Sequence, residues 1–180
     1  ETGIYHSIRT EADHLTSMSS HLLELKKAFH ALDTKGQDQV LRELYDFSKD
    51  VQAFLESRLL HVVDSEELIR AMKKETMDKV FHRTIPKTPD GRNVQAIITR
   101  AKKLGAGKRT RMELERLAFM GFVDFLNEYG GGPDSFETMA CDHLEAHLDF
   151  VKTLKDKQER QDCIDAVRNY LQKQNNMLTD

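Results

Sequence analysis

The chain has 180 residues, of which 39% are hydrophobic and 32% are charged, and its formal net charge at pH 7 is −3. A chain of this length and hydrophobic content can form one compact core, so we predict a single domain over residues 1–180. The nearly balanced charge excludes a general attraction to nucleic acid or to a membrane surface, and no stretch reaches the ~20 apolar residues of a transmembrane helix. Three prolines, no tryptophan and long stretches without glycine favour an all-α fold.

The first predicted helix has the clearest apolar pattern of the chain. Its apolar residues recur every three or four positions, which is the spacing of one face of an amphipathic helix. We expect this helix to end near Asp33-Thr34-Lys35-Gly36, where glycine provides a stop. The residues of the face are Ile8, Leu15, Met18, Leu22, Leu25, Phe29 and Leu32.

A second helical pattern extends from Gln37 to Val80. Because a helix of more than ~40 residues is unusual in a globular domain, we predict a break near Val63-Asp64-Ser65. Asp64 or Ser65 would cap the helix that follows, with a glutamate in its first turn.

Residues 84–111 are predicted to form an irregular, basic connecting segment that contains one short amphipathic helix. No acidic residue lies between Arg92 and Arg111. Such a cluster of cations can bind phosphate or an acidic partner, although solvation of a loop and a helix face is the simpler explanation. No aromatic residue interleaves the cations and the P-loop pattern is absent, so we do not expect nucleic-acid binding. The candidate contacts are Arg92, Lys102, Lys103, Lys108, Arg109 and Arg111.

The segment from Met112 to Tyr129 is the most apolar predicted helix, and its apolar residues occupy more than one face, so we place it at the centre of the fold. Glycines at residues 130–132 end it, and Asp134 or Ser135 begins the next helix. A last helix surrounds residues 163–171. Together these patterns predict an up-and-down helical bundle of four to five long helices plus one short helix.

Two histidines, His143 and His147, lie four residues apart on the apolar face of the next-to-last predicted helix. At ~100° per residue both rings point toward the core, where a polar ring needs a hydrogen-bond partner or a metal ion. The spacing lets two ring nitrogens converge on one ion, and His61 as a third ligand would give a zinc or nickel site with an open position. Without His61 the pair is interpreted as a hydrogen-bonded part of the core. Candidates for orienting the rings are Asp142, Glu145 and Asp64.

The segments Leu60-His61-Val62-Val63-Asp64-Ser65-Glu66 and His143-Leu144-Glu145-Ala146-His147-Leu148 resemble the DinB/YfiT-like superfamily. This resemblance implies a helical bundle in which His61, His143 and His147 bind a divalent metal. It also implies a relationship to metal-dependent hydrolases and thiol-conjugating transferases. In such a site the metal would lower the pKa of a bound water or thiol and act as a Lewis acid.

A second interpretation is a non-enzymatic helical interaction protein, secreted or derived from a pathogen, that binds a protein partner through helix faces or the basic segment. The sequence leaves open the oligomeric state, the substrate and any catalytic residue. It also leaves open whether Cys141 and Cys163 are bridged or free, and whether this soluble protein is cytoplasmic or exported. The opening Glu1-Thr2-Gly3 resembles residues left by secretory expression, which would imply export.

Overall fold

The computed structural model describes residues 20–81 and 87–177, with side chains up to residue 174. All regular structure in these residues is helical, which confirms the predicted all-α class. The helix α1 is described over residues 20–31. The later elements are α2 (Thr34–Phe47), α3 (Lys49–Leu55), a π-helical turn (Glu56–Leu60), α4 (Ser65–Glu75), α5 (Met77–Val80), α6 (Gly91–Lys103), α7 (Lys108–Glu128), α8 (Ser135–Lys152) and α9 (Lys157–Met177). The up-and-down order of four to five long helices stays a prediction.

The chain divides into two compact units, Glu1–Leu55 and Glu56–Asp180, which we call the N-terminal unit and the C-terminal unit. The N-terminal unit contains α1, α2 and α3. None of its described residues, 20–55, is buried. Three positions of the predicted first apolar face lie outside the described residues, namely Ile8, Leu15 and Met18.

The turn between α1 and α2 is held by two side chains. Asp33 caps α2, because its carboxylate accepts a hydrogen bond from the backbone N–H of Gly36 at 2.8 Å. The side-chain amide of Gln37 donates to the carbonyl oxygens of Phe29 at 3.4 Å and Leu32 at 3.2 Å, which satisfies acceptors at the end of α1. Gly36 therefore lies in the first turn of α2, and the expectation that it stops the first helix is corrected.

The predicted helix from Gln37 to Val80 is interrupted more often than expected. α2 ends at Phe47, and the backbone of the next residue, Ser48, is extended. The Ser48 hydroxyl accepts from the N–H of Val51 at 3.2 Å and caps α3. The predicted break near Asp64 is confirmed. The Asp64 carboxylate accepts from the N–H of Glu67 at 2.8 Å and caps α4.

A further interruption at Thr76 separates α4 from α5. The Thr76 hydroxyl donates to the carbonyl oxygen of Met72 at 2.8 Å, and the same oxygen accepts from the backbone N–H of Thr76 at 3.0 Å. α7 passes very close to this point, because a Cβ atom built on Gly121 would lie 2.3 Å from the Cβ of Thr76. Only glycine fits at this position of α7 without a shift of the two segments.

The core of the C-terminal unit is built around α7, which packs mainly against α8 and also contacts α4, α5 and α6. The predicted central position of this helix is confirmed, although it begins at Lys108 and not at Met112. The ring of Phe122 meets the ring of Phe136 edge-on, with centroids 5.0 Å apart. Across the described residues we find no helix with both the length and the apolar character needed to cross a bilayer. The core includes Leu68, Met72, Val94, Ile98, Leu114, Leu117, Phe119, Phe122, Phe136 and Val167.

Of the segment 84–111, predicted to be irregular, the described residues 87–111 are mostly helical. The Asp90 carboxylate accepts from the N–H of Arg92 at 2.8 Å and caps α6. Only residues 104–107 connect α6 to α7, and Gly105 adopts a φ of 73°, which favours glycine. Pro89 and Gly91 lie at the start of α6, and Gly105 and Gly107 lie between α6 and α7, so in residues 87–111 the prediction extended their effect over too many residues.

Candidate functional site

His147 of α8 has only 1% of its surface exposed. Its Nδ1 lies 3.0 Å from the backbone carbonyl oxygen of Met112 on α7. Because a carbonyl oxygen only accepts, Nδ1 carries the proton and Nε2 is left as a lone-pair acceptor. This Nε2 is buried and has no hydrogen-bond partner among the described residues. Burial lowers the pKa of the imidazole below its ordinary 6.5, so the ring is neutral at pH 7.

His143 lies one turn earlier on α8 and contacts a carboxylate. Its Nδ1 is 2.7 Å from Oε2 of Glu115, which is itself 6% exposed and belongs to α7. The ring also stacks on Phe122, with centroids 5.9 Å apart and planes within 6° of parallel. Burial of the carboxylate is therefore offset by a short hydrogen bond to the imidazole.

The two histidines share one geometry. Each Nδ1 donates to an oxygen atom of α7, and in the neutral ring each Nε2 then holds a lone pair. Histidines that ligate metals are commonly oriented by oxygen acceptors in this way. The pair can therefore bind a cation through Nε2, and the two rings differ in that Nδ1 of His143 is hydrogen-bonded to a carboxylate and Nδ1 of His147 to a backbone carbonyl group.

An ion pair on α7 contributes to the electrostatics around His147. Arg116 donates through Nε and Nη2 to the two carboxylate oxygens of Glu113 at 2.8 and 2.7 Å, which raises the pKa of the guanidinium. The Arg116 charge lowers the pKa of His147 in addition to burial, while the carboxylates of Glu113 and Glu115 oppose that effect. Cys163 of α9 is a free thiol whose pKa is raised by burial, so it is not an activated nucleophile.

The structure does not bring His61 together with the pair as a ligand set. Within residues 20–81 and 87–177, no three His, Cys, Asp or Glu side chains are arranged to hold one metal ion. His61 is exposed in the connection before α4 and has a φ of 56°, in the left-handed region. The predicted three-histidine site is therefore not assembled in this conformation.

The predicted orienting carboxylates are also corrected. Asp64 caps α4, while Asp142 and Glu145 are exposed on α8. The acceptors that hold the ring protons are Glu115 and the Met112 carbonyl group, neither of which was a candidate. A signal for Glu115 exists in the sequence, because at helical spacing this carboxylate shares a face with Met112, Phe119 and Phe122 of the helix expected at the centre of the core.

The predicted phosphate or partner contacts are distributed over two helices. Arg92, Lys102 and Lys103 are exposed on α6, whereas Lys108 and Arg109 are exposed at the start of α7. Arg109 also pairs with Glu159 of α9 at 2.9 Å.

Arg111 differs from these surface cations because it is half-buried. Its guanidinium lies over the ring of Phe150, 4.8 Å from the centroid, and this stacking holds α7 against α8. Arg111 is therefore a packing residue in this structure and does not form one exposed basic surface with the other five.

A partly buried polar network on α7 and α9, centred on the buried Asp124, was missed from the sequence. The Tyr170 hydroxyl and the Gln174 amide donate to Oδ1 of Asp124 at 2.6 and 2.9 Å, and the Asn127 amide donates to Gln174 at 2.9 Å. These residues border a cavity of about 410 Å³. Burial raises the pKa of Asp124, and the two hydrogen bonds to its carboxylate oppose that effect.

The N-terminal unit has exposed apolar faces instead of buried groups. Among residues 20–55, ten large hydrophobic side chains leave 40–80% of their surface exposed. Single exposed hydrophobic residues are ordinary, but a helical unit without any buried residue in its described part is not. These side chains are Leu22, Leu23, Leu25, Phe29, Leu32, Leu41, Leu44, Tyr45, Phe47 and Phe54.

Comparison with known proteins does not add a relationship. No family model matches the chain, and searches of curated proteins and of solved structures returned no significant match. The resemblance to the DinB/YfiT-like superfamily stays a prediction.

Proposed function

We propose that this is a helical interaction protein that binds a protein partner through the apolar faces of α1 and α2. The observation that carries this proposal is the absence of any buried residue between residues 20 and 55, combined with ten large exposed hydrophobic side chains. Soluble proteins rarely expose that much apolar surface unless another molecule covers it.

The spacing of the exposed residues supports a helical partner. On α1, the residues Leu22, Leu25 and Phe29 lie within a narrow arc at 100° per residue, and Leu32 continues this arc. We call these four residues the α1 stripe. On α2, a similar arc contains Val40, Leu41, Leu44 and Phe47, which we call the α2 stripe. Stripes with three- and four-residue spacing pack against other helices.

Leu23 provides a matched control on the same helix. It is 54% exposed and Leu25 is 68% exposed, but the two side chains point about 160° apart on α1. A photo-crosslinking amino acid, p-benzoylphenylalanine, is introduced at position 25 or at position 23 of the full chain. We expect irradiation in the producing cells to attach a second polypeptide at position 25 and not at position 23.

Binding of the purified crosslinked polypeptide is then measured with the wild-type chain, Leu25→Glu and Leu23→Glu. Loss of binding in Leu25→Glu alone supports the proposal. Equal crosslinking at both positions, or none at either, contradicts it.

A triple lysine variant tests whether the partner binds the basic surface predicted from the sequence or the apolar stripes. Lys102, Lys103 and Lys108 are exposed and lie in the C-terminal unit. Their simultaneous replacement by glutamine should leave binding of the identified polypeptide unchanged at 0.15 M ionic strength, roughly the physiological value. Binding that depends on these lysines and on salt would assign the interface to the basic surface instead.

A second candidate function is divalent-metal binding by His143 and His147. It is favoured by the unpartnered, buried Nε2 of His147 and by the oxygen acceptors that hold both Nδ1 protons. The metal-dependent hydrolase or thiol-transferase chemistry implied by the sequence resemblance would depend on this pair.

Calorimetric titration of tag-free protein with Zn²⁺ and with Ni²⁺ tests the metal site. We expect binding of one ion per chain that is lost in His143→Gln and in His147→Gln. His61→Gln is the control and should retain binding, because His61 is not part of this pair. Absence of stoichiometric binding, or equal binding by all variants, contradicts the site.

A further inference from the structure

We infer that the partner covering the two stripes is a second copy of this chain, so that the protein is a dimer formed through its N-terminal units. This inference rests on the proposed function and names the occupant of the same surface. Three properties of residues 20–55 support it, namely the amount of apolar surface, the presence of two stripes in one unit, and the charges of α1 and α2.

The exposed apolar surface of the two stripes is of the size that a stable dimer uses. Seven of the eight stripe side chains, all except Val40, leave 40–80% of their surface exposed. They supply much of the about 800 Å² that a stable protein interface buries on each partner.

The two stripes of one chain suit a twofold arrangement. In a twofold dimer each copy presents the same surface, so the α1 stripe of one copy can lie on the α2 stripe of the other, and the reverse contact forms by symmetry. Four helices then share one apolar interior, as in a helical bundle. A single partner helix would cover one stripe well and leave much of the other exposed.

The charges of the two helices are compatible with this contact. The described part of α1 carries Lys26 and Lys27 against one glutamate, which gives it one net positive charge. α2 carries three acidic and two basic side chains, which gives it one net negative charge. Contact of α1 with α2 of the other copy therefore brings opposite net charges together, which favours this pairing over α1 with α1.

Sedimentation velocity of the full wild-type chain from 1 to 100 μM is the test. We expect a species of twice 20.8 kDa that dissociates on dilution. Leu25→Glu and Phe47→Glu each place a charge in the interface and should weaken dimerisation by about 30-fold or more. Leu23→Glu is the matched control and should leave the dimer unchanged.

The substituted side chains are already exposed, with Phe47 at 80%, so the variants should fold, and circular dichroism checks this. A dimer that persists in Leu25→Glu and Phe47→Glu overturns the assignment to this face. A wild-type chain that is monomeric at 100 μM overturns the second copy as the occupant.

Thiol labelling distinguishes the two ways in which a monomer could arise. In a Leu25→Cys variant, labelling at position 25 is read by peptide mass spectrometry, so Cys141 and Cys163 do not interfere. A monomer that is labelled rapidly retains a free stripe, so only the second copy is wrong and the proposed function stands. A monomer that is protected from labelling covers the stripe with its own chain, which overturns both proposals.

Discussion

The N-terminal and C-terminal units show opposite relations between side-chain polarity and burial. Residues 20–55 expose large apolar side chains and bury nothing, whereas the C-terminal unit buries carboxylates and an imidazole, namely Glu115, Asp124 and His147. Both units consist of helices with apolar residues at similar spacing. The difference shows that spacing defines which residues share a face, while burial depends on what the rest of the molecule places against that face.

The largest expected difference between the two units is the loss of unfolding free energy when one phenylalanine in each is truncated. Phe122→Ala removes a fully buried ring and should lower the free energy of unfolding by about 3–5 kcal/mol. Phe47→Ala is the matched control and should change the stability of the monomer by less than about 0.5 kcal/mol. Urea unfolding at low micromolar concentration measures both. Equal losses would mean that Phe47 is covered in solution.

The close approach of α7 to Thr76 should make the C-terminal unit sensitive to one added methyl group. Gly121→Ala places a Cβ against Thr76 and should destabilise by about 1–3 kcal/mol. Gly107→Ala is a suitable control, because nothing lies within 4 Å of an added Cβ and its backbone does not require glycine. Thermal unfolding compares the two variants, and similar melting temperatures would contradict the close contact.

Loss of the buried carboxylate next to His143 should also lower the free energy of unfolding. Glu115→Leu leaves the ring nitrogen of His143 without its acceptor inside the core, at a cost of about 1–3 kcal/mol. The exposed Glu145 on α8 provides the control, and Glu145→Leu should have little effect. Urea unfolding of both variants at pH 7 measures the difference, and an equal effect would place the two glutamates in similar environments.

Acidification should lower the free energy of unfolding because His147 is buried as a neutral ring. The pKa of His147 is lowered in the folded state, so the folded state favours the neutral ring. The contribution of the neutral ring to the free energy of unfolding is fully present above pH 6.5. It is lost as the pH falls below that value, because the unfolded state then binds the proton more readily. The extra loss between pH 6.5 and 5.5 is at most about 1.4 kcal/mol for one proton. Urea unfolding from pH 7.5 to 5.5 should show a shallower pH dependence in His147→Gln. Identical slopes would mean that His147 does not titrate differently on folding.

The smallest change in the free energy of unfolding is expected when the surface ion pair between Arg109 and Glu159 is removed. Arg109 is well exposed, so Arg109→Gln should change the free energy of unfolding by less than about 0.5 kcal/mol. A loss of 2 kcal/mol or more in urea unfolding would show that this cation contributes to packing, as Arg111 does.

Sequence features that act within a single helix predicted much of the fold. The all-α class, the cap at Asp64 and the central position of α7 follow from composition, capping chemistry and apolar spacing. The interruption at Ser48 was missed because no glycine or proline marks it. The helix α6 was underestimated because the glycines and prolines around it were taken as signs of a longer irregular segment.

The candidate sites depended on contacts between distant residues. His143 and Glu115 are 28 residues apart, and nothing in the spacing of either helix specifies that they meet. The same limitation applies to His61, whose position on a predicted helix face did not determine the conformation of the connection in which it lies. Partners across helices require the packing angles of those helices, which a single sequence does not encode locally.

The Asp124 network has a consequence for the order in which the fold opens. Val167 is the only buried hydrophobic side chain of α9 among residues 157–174, and the contacts of Tyr170 and Gln174 with the Asp124 carboxylate of α7 are only partly buried. Helices with little apolar burial exchange their amide hydrogens through local unfolding, at a lower free energy than the core. We therefore expect α9 to detach while α7 and α8 remain packed, as a separate cooperative element of the native state.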